Sequence, residues 1–390
     1  MELKVLNKID PHDVEKLTTL IEADLLDRNT HLKNLINIFT ITKNSLVLGI
    51  DGRWGTGKTI FLKQLELLIN SETKYSDFQI DEVRNKFRAF YFSSWENDLY
   101  GSPLVMLLFS LSKKFAETNY PVDTLVDMIN DLEEISRNSS QSRNKPLRDV
   151  LTVDQIKEKI FDLLSEITKE KELLIIIDEL DRCKPTYAIE LLEVIKHYFY
   201  HHKVSLILCS NKIELSNTVK KYYGNNFNGY DYLDRFMDLE YILPEPNVDK
   251  YLEEVLRRQS GNYVYVIEDI SNYFNLSMRQ VNKYLITTDL ISSSSRNISS
   301  ADIVFLYYAA ALKMKDINKF NSFIEGENFE EFWNYIKKAD TDVSFLVRSS
   351  QELEIDEVRK LYNNSFSIER GDDRTLYRRN RMLRALSFIG

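Results

Sequence analysis

Gly52, Gly57, Lys58 and Thr59 stand in the stretch GIDGRWGTGKTIF, residues 49–61, at the spacing G-x-x-x-x-G-K-T. Gly49, Gly52, Gly55 and Gly57 place four of the chain's 11 glycines within nine positions of an otherwise glycine-poor sequence. Glycines allow a loop to turn its N–H groups inward toward phosphate oxygens, and a helix starting after the loop adds partial positive charge. In that pattern Lys58 would reach the β- and γ-phosphates of a nucleotide, and the Thr59 hydroxyl would hold Mg²⁺. The expected binding segment runs Gly52, Arg53, Trp54, Gly55, Thr56, Gly57, Lys58, Thr59 and Ile60.

Hydrolysis needs an acid at the end of a buried strand, and LLIIIDEL at 173–180 supplies two. Asp178 would bind Mg²⁺ directly or through water, and Glu179 would orient or deprotonate the attacking water. Unpaired buried carboxylates are costly, so an acidic pair closing an apolar run is poorly explained as packing. Asp181 and Arg182 follow at once and read equally as a loop-ordering surface ion pair or as catalytic groups. Ser210 and Asn211 end the next apolar run, LILCSN. Asn211 is expected either to sense the γ-phosphate or to cap a helix. The tetrapeptide NKIE, 211–214, has glutamate where a guanine-reading N-K-x-D motif has aspartate, which favours ATP over GTP.

These groups must be held by alternating elements. A helical N-terminal region, HDVEKLTTLIEADLLDRNTHLKNLINIFTI, leads to SLVLGI at 45–50, the glycine loop and the helical TIFLKQLELLIN. FRAFYFSSW at 87–95 reads as a second strand, before a helix with Pro103 in its first turn. Residues 135–150 read as an exposed polar connection. Then follow ELLIIIDEL, a helix around TYAIELLEVIKHYFY, VSLILCS at 204–210 and FMDLEYIL at 236–243. Continuous apolar runs alternating with helices predict an α/β fold with a parallel sheet covered on both faces. From Pro244 onward helical signals dominate, interrupted by ISSSSRNISS at 291–300. The expected domains are 1–244 for the nucleotide core with its N-terminal helical segment, and 245–390 for a helical module.

Composition limits the setting. The chain has 390 residues, 43% hydrophobic, enough for sizeable cores. A net charge of −9 argues against a generally nucleic-acid-coating surface. Two cysteines form no disulfide framework, and MELKVLNKID lacks the apolar run of a signal peptide, so a cytoplasmic setting is expected. PLVMLLFSL is too short to span a bilayer.

DGRWGTGKT with Trp54, IIIDELDRC, YLDRF leading into LEYILPEP, and FYFSSWENDLYGSPLVMLL with Trp95 together resemble the KAP family of P-loop NTPases over about residues 20–290. The resemblance implies an additional-strand P-loop core similar to AAA+ and STAND ATPases, followed by a helical region. It implies an Mg²⁺-dependent ATPase that couples nucleotide state to conformational change or assembly as a homo-oligomer, with antiphage defence as an associated role in bacterial relatives. The alternative is a nucleotide-held scaffold or switch with little turnover that recruits an effector protein. Many relatives carry transmembrane helices between the two motifs, and this chain shows none. By the same resemblance Arg235 would act as an arginine finger toward a neighbouring subunit, against a local salt bridge with Asp231. Arg279 would touch the phosphates from the helical module, against a plain surface position.

His197 and His201 lie four apart on an expected helix with His202 adjacent, a spacing compatible with metal ligation, though a solvated helix end explains it as well. Cys183 and Cys209 read as ordinary buried thiols. Arg374, Arg378, Arg379, Arg381 and Arg384 in RTLYRRNRMLRALSFIG read as an amphipathic helix for a partner, a nucleic acid or an anionic surface, or as a helix with one solvated basic face.

Overall fold

The structure is a computed structural model that describes residues 10–73, 75–99, 101–115, 146–257, 263–294, 298–348, 353–366 and 373–387. Five strands form one wholly parallel sheet: β1 (Val47–Asp51), β2 (Phe87–Ser93), β3 (Glu172–Asp178), β4 (Val204–Ser210) and β5 (Leu239–Ile242), in the order β2-β3-β4-β1-β5. β4 thus separates β1, which feeds the glycine loop, from β3, which ends in the acids. This is the arrangement of an additional-strand P-loop core.

Alternation along the strands assigns each residue to a face. In β3, Leu173, Ile175 and Ile177 pack with helices Pro103–Lys114, Pro146–Ile167 and Pro185–Tyr198. Leu174 and Ile176 pack on the other face, with helices Asn29–Ile41 and Lys58–Asn70. Both faces are covered, which is why β3 and β4 are almost wholly apolar and buried. Parity therefore sends Asp178, two residues beyond Ile176, toward the face that carries the helix after the glycine loop. Register then gathers the strand ends: Ser93 pairs with Asp178, and Asp51 with Ser210. In an open parallel sheet this C-terminal edge is where ligands bind.

Several boundaries differ from expectation. The N-terminal helical region is two helices, Val14–Glu22 and Asn29–Ile41. Between them Asp24 and Asp27 take left-handed φ of 44° and 53°, and the Asp24 carboxylate accepts the N–H groups of Arg28 and Asn29. The last strand is shorter than its apolar run, because Phe236 closes a turn onto Leu233 and pairing begins only when Asp238 N–H reaches the Val47 carbonyl. Residues 135–145 lie outside the described residues, and the expected exposed connection gives way to helix at Pro146. Residues 291–294 belong to helix Met278–Ser294, and 295–297 lie outside the described residues.

The chain divides into two compact units, Pro11–Asp24 with Arg28–Glu245, and Leu25–Asp27 with Pro246–Gly390. The second is helical. Helix Ser300–Lys315 runs buried on all sides from Ala301 to Leu312, as a helix does when others surround it. Its buried Asp302 accepts Arg378 through Nε at 3.1 Å and Nη2 at 2.7 Å, and Ser365 Oγ at 2.9 Å. Arg379 Nε donates to the Phe366 carbonyl. Arg378 and Arg379 are half-buried and bonded within the unit, so they leave the solvated basic face read for helix Asp373–Leu386, on which Arg384 is exposed. The Arg374 side chain lies outside the described residues. Removing one partner of a buried pair strands the other charge, so Arg378→Ala is expected to destabilise this unit by about 3 kcal/mol, seen as a lowered denaturation midpoint.

Among the described residues, no helix is long and apolar enough to cross a membrane.

Candidate functional site

The glycine loop leaves β1 at Asp51, whose carboxylate accepts the Lys212 N–H at 2.8 Å, while Gly52 N–H bonds the Ser210 carbonyl at 3.2 Å. Gly55 and Gly57 have φ of 89° and 82°, values that residues with a Cβ rarely adopt. At Gly52 an added Cβ would lie 3.3 Å from both Lys58 Cδ and Thr56 Oγ1, a tight contact to which those side chains would have to yield. Lys58 opens helix Lys58–Asn70 and folds back, with Nζ 2.6 Å from the Gly52 carbonyl and 3.2 Å from that of Arg53. The ammonium thus lies across the loop, and the first N–H groups of the helix have no intrahelical acceptor. Arg53 and Trp54 are exposed, whereas Ile60 is half-buried in the helix's first turn.

The acids meet this loop from β3. Thr59 Oγ1 donates to Asp178 Oδ2 at 2.7 Å, so the two expected metal ligands touch. Asp178 also accepts the Tyr91 hydroxyl at 3.0 Å and, on its other oxygen, the Glu179 N–H at 2.8 Å. Burial raises its pKa above the ordinary aspartate value, and the nearby Glu179 charge raises it further, against the lowering effect of its donors. A carboxylate that burial disfavours, beside a hydroxyl oxygen, fits a hard cation completed by phosphate and water oxygens. Among the described residues no set of three or more His, Cys, Asp or Glu side chains forms a closed metal cage.

A carboxyl whose folded pKa is raised binds protons more readily in the folded chain. Without a metal, stability therefore falls as pH climbs from the ordinary aspartate value through the raised one. Asp178→Asn is expected to remove that decline and raise the nucleotide-free melting temperature near neutral pH by about 2 °C, while abolishing the Mg²⁺-dependent part of nucleotide binding. Melting curves with and without Mg²⁺ and ATP check both halves.

Glu179 sits in the left-handed region at φ 63°, unusual for a residue with a long side chain. Its carboxylate accepts Ser93 Oγ at 3.0 Å and pairs with Arg182 Nη1 at 2.5 Å. Asp181 instead accepts the indole N–H of Trp54. The expected Asp181–Arg182 pair is therefore replaced by two links, one to the glycine loop and one to Glu179, because the turn at 180–182 points the adjacent side chains apart.

Asn211 is buried and its Oδ1 accepts the Glu214 N–H at 3.4 Å, capping helix Lys212–Tyr223. Lys212 Nζ pairs with Asp234 at 2.9 Å and Glu240 at 2.7 Å. Arg235 is exposed just before β5, at the opposite end of the parallel β1–β5 pair from the loop, and among the described residues it makes no ion pair with Asp231. Its carbonyl accepts Lys196 Nζ at 3.0 Å. Arg279 is exposed in the first turn of helix Met278–Ser294, in the other unit.

The helix carrying His197 ends at Tyr198, so His197 and His201 share no helical face. His201 is buried against Phe161 and stacked on His202. Its Nδ1 accepts the Lys203 N–H, which assigns the proton to Nε2, beside Ser165 Oγ. Cys183 and Cys209 are both buried free thiols, and burial raises the pKa of each.

Tyr91, Ser93 and Arg28 are part of the site but escaped the sequence reading. Burial raises the pKa of the Tyr91 phenol, and Lys63 Nζ lies 3.7 Å from its ring centre. Arg28, buried, donates through Nη2 to the Thr56 carbonyl inside the loop at 3.0 Å. Alternation along FRAFYFS could have put Tyr91 and Ser93 on one face, but only register brings that face to Asp178.

The model of the KAP family P-loop domain matches residues 28–299, more than half of the chain. None of the curated proteins compared with the chain matches it significantly. With the additional-strand sheet, the lysine folded across the glycine loop and the threonine on the β3 acid, this match shows that the chain belongs to the KAP family of P-loop NTPases.

Proposed function

We propose that this nucleotide-binding domain takes Mg²⁺-ATP and hydrolyses the bond between its β- and γ-phosphates. The carrying observation is the 2.7 Å contact of Thr59 with Asp178, one residue from Glu179. Thr59 and Asp178 would hold Mg²⁺, which when bound neutralises phosphate charge. Lys58 and the loop N–H groups would bind the phosphates. Glu179 would orient water and take its proton as the water oxygen bonds to the γ-phosphorus and the bridging oxygen leaves with ADP. ATP is favoured over GTP because Glu214 stands where a guanine-reading N-K-x-D motif has aspartate.

Arg235 would act on another copy, since its own loop lies at the far end of the neighbouring strand. Such an assembly would couple nucleotide state to the helical unit, where Arg279 is the candidate phosphate contact. A role in antiphage defence rests on the family resemblance alone. It requires Lys58→Ala to abolish protection in cells carrying the native operon.

The test is turnover per chain measured across a wide protein concentration range, with Arg235→Ala alone and mixed with Lys58→Ala. A rate that rises with concentration, vanishes in Arg235→Ala and partly returns on mixing supports hydrolysis across copies. ATP binding without turnover at any concentration would replace this reading with a switch that recruits an effector.

A further inference from the structure

Arg182 is a cation paired directly with the proposed base, Glu179, and the mechanism proposed for the site leaves it unused. Its guanidinium sits 2.5 Å from a Glu179 oxygen, and its Cζ lies 5.9 Å from the centre of the exposed Trp95 ring. Its neighbour Asp181 is tied to Trp54, in the middle of the glycine loop. The turn carrying Arg182 is therefore fastened to the loop that would hold the phosphates. Glu179, for its part, has one oxygen on Arg182 and the other on Ser93, so in this state its carboxylate is engaged by two donors.

We propose that Arg182 is a γ-phosphate ligand that exchanges partners: when Mg²⁺-ATP binds, its guanidinium leaves Glu179 for the terminal phosphate. This rests on the ATP reading above. The exchange trades one carboxylate for a group of higher charge and more acceptor oxygens, which a planar guanidinium can bind through two parallel N–H bonds. It also frees the Glu179 oxygen that Arg182 holds, so that oxygen can turn to the attacking water. ADP has no terminal phosphate at that place, so the Arg182–Glu179 pair would stay closed with product bound. A single residue would then both sense the triphosphate and release the base.

The test compares Mg²⁺-ATPγS and Mg²⁺-ADP affinities by calorimetry in the full chain. Arg182→Gln is expected to weaken ATPγS about tenfold while leaving ADP unchanged. Glu179→Gln removes the competing carboxylate and is expected to tighten ATPγS relative to ADP, and the Arg182→Gln/Glu179→Gln double variant should lose that tightening. A second signal is the part of the tryptophan emission change that Trp95→Phe removes, which should appear with ATPγS and not with ADP. An unchanged ATPγS-to-ADP ratio in Arg182→Gln, with the wild-type chain binding both, would overturn the exchange and leave the ATP reading intact. Failure of the wild-type chain to bind either nucleotide would overturn both.

Discussion

Lys58→Ala is expected to abolish nucleotide binding. The ammonium is buried in the loop and held by two carbonyls, at 2.6 and 3.2 Å, so it already occupies the ground that phosphate oxygens would take over. Losing it would remove the buried ammonium that is proposed to meet the phosphates from inside the loop. It also releases the Gly52 and Arg53 carbonyls, which repel phosphate. An affinity loss of at least about 100-fold follows, near 2.7 kcal/mol. In a thermal shift experiment, a ligand at about 100 times its wild-type dissociation constant stabilises the wild-type chain by about 2.7 kcal/mol, and the variant should keep no more than about 0.4 kcal/mol. Unaltered circular dichroism would show that the sheet survives. Retained ATP-dependent stabilisation would sink the assignment of this loop as the nucleotide site.

Glu179→Gln should separate binding from turnover. The substitution keeps size and shape, so contact with Ser93 can persist, but an amide cannot take a proton from water. Loss of a positioned general base costs about 100- to 10,000-fold in rate, while the loop, Lys58 and Asp178, the proposed ligands of Mg²⁺-ATP, are left in place. Single-turnover measurements with a matched affinity titration read the two effects apart. A wild-type rate in this variant would require another base. Equal loss of binding and rate would make Glu179 a structural residue of the turn at 180–182, where its left-handed backbone already marks it as unusual.

The candidate residues of the site were legible because they reside in short, contiguous patterns. The glycine loop must follow a strand and open a helix, so spacing and context together locate Lys58 and Thr59. An apolar run closed by two acids locates Asp178 and Glu179, because the run must be buried on both faces and its end must reach an edge. Strand and helix order followed from the same alternation. Turn details were less accessible. The break between the first two helices depends on Asp24 and Asp27 taking left-handed backbone, which helical periodicity does not reveal. The end of the histidine helix at Tyr198 separates residues that a continuous helix would have aligned.

Residue type and local spacing are properties of the chain alone, and they were enough to single out the candidates proposed for phosphate and metal. Tertiary structure decided which partner each charged group took. Arg182 turned to Glu179 and Asp181 to Trp54, Arg378 went inward to Asp302, and Tyr91 came to Asp178 from a strand 87 residues away. The physical reason is that each contact depends on chain geometry beyond residue type: Tyr91–Asp178 on sheet order, register and strand parity, Arg378–Asp302 on the packing of helices, and the links of Asp181 and Arg182 on the turn at 180–182. A one-residue change in register would send Tyr91 to the opposite face.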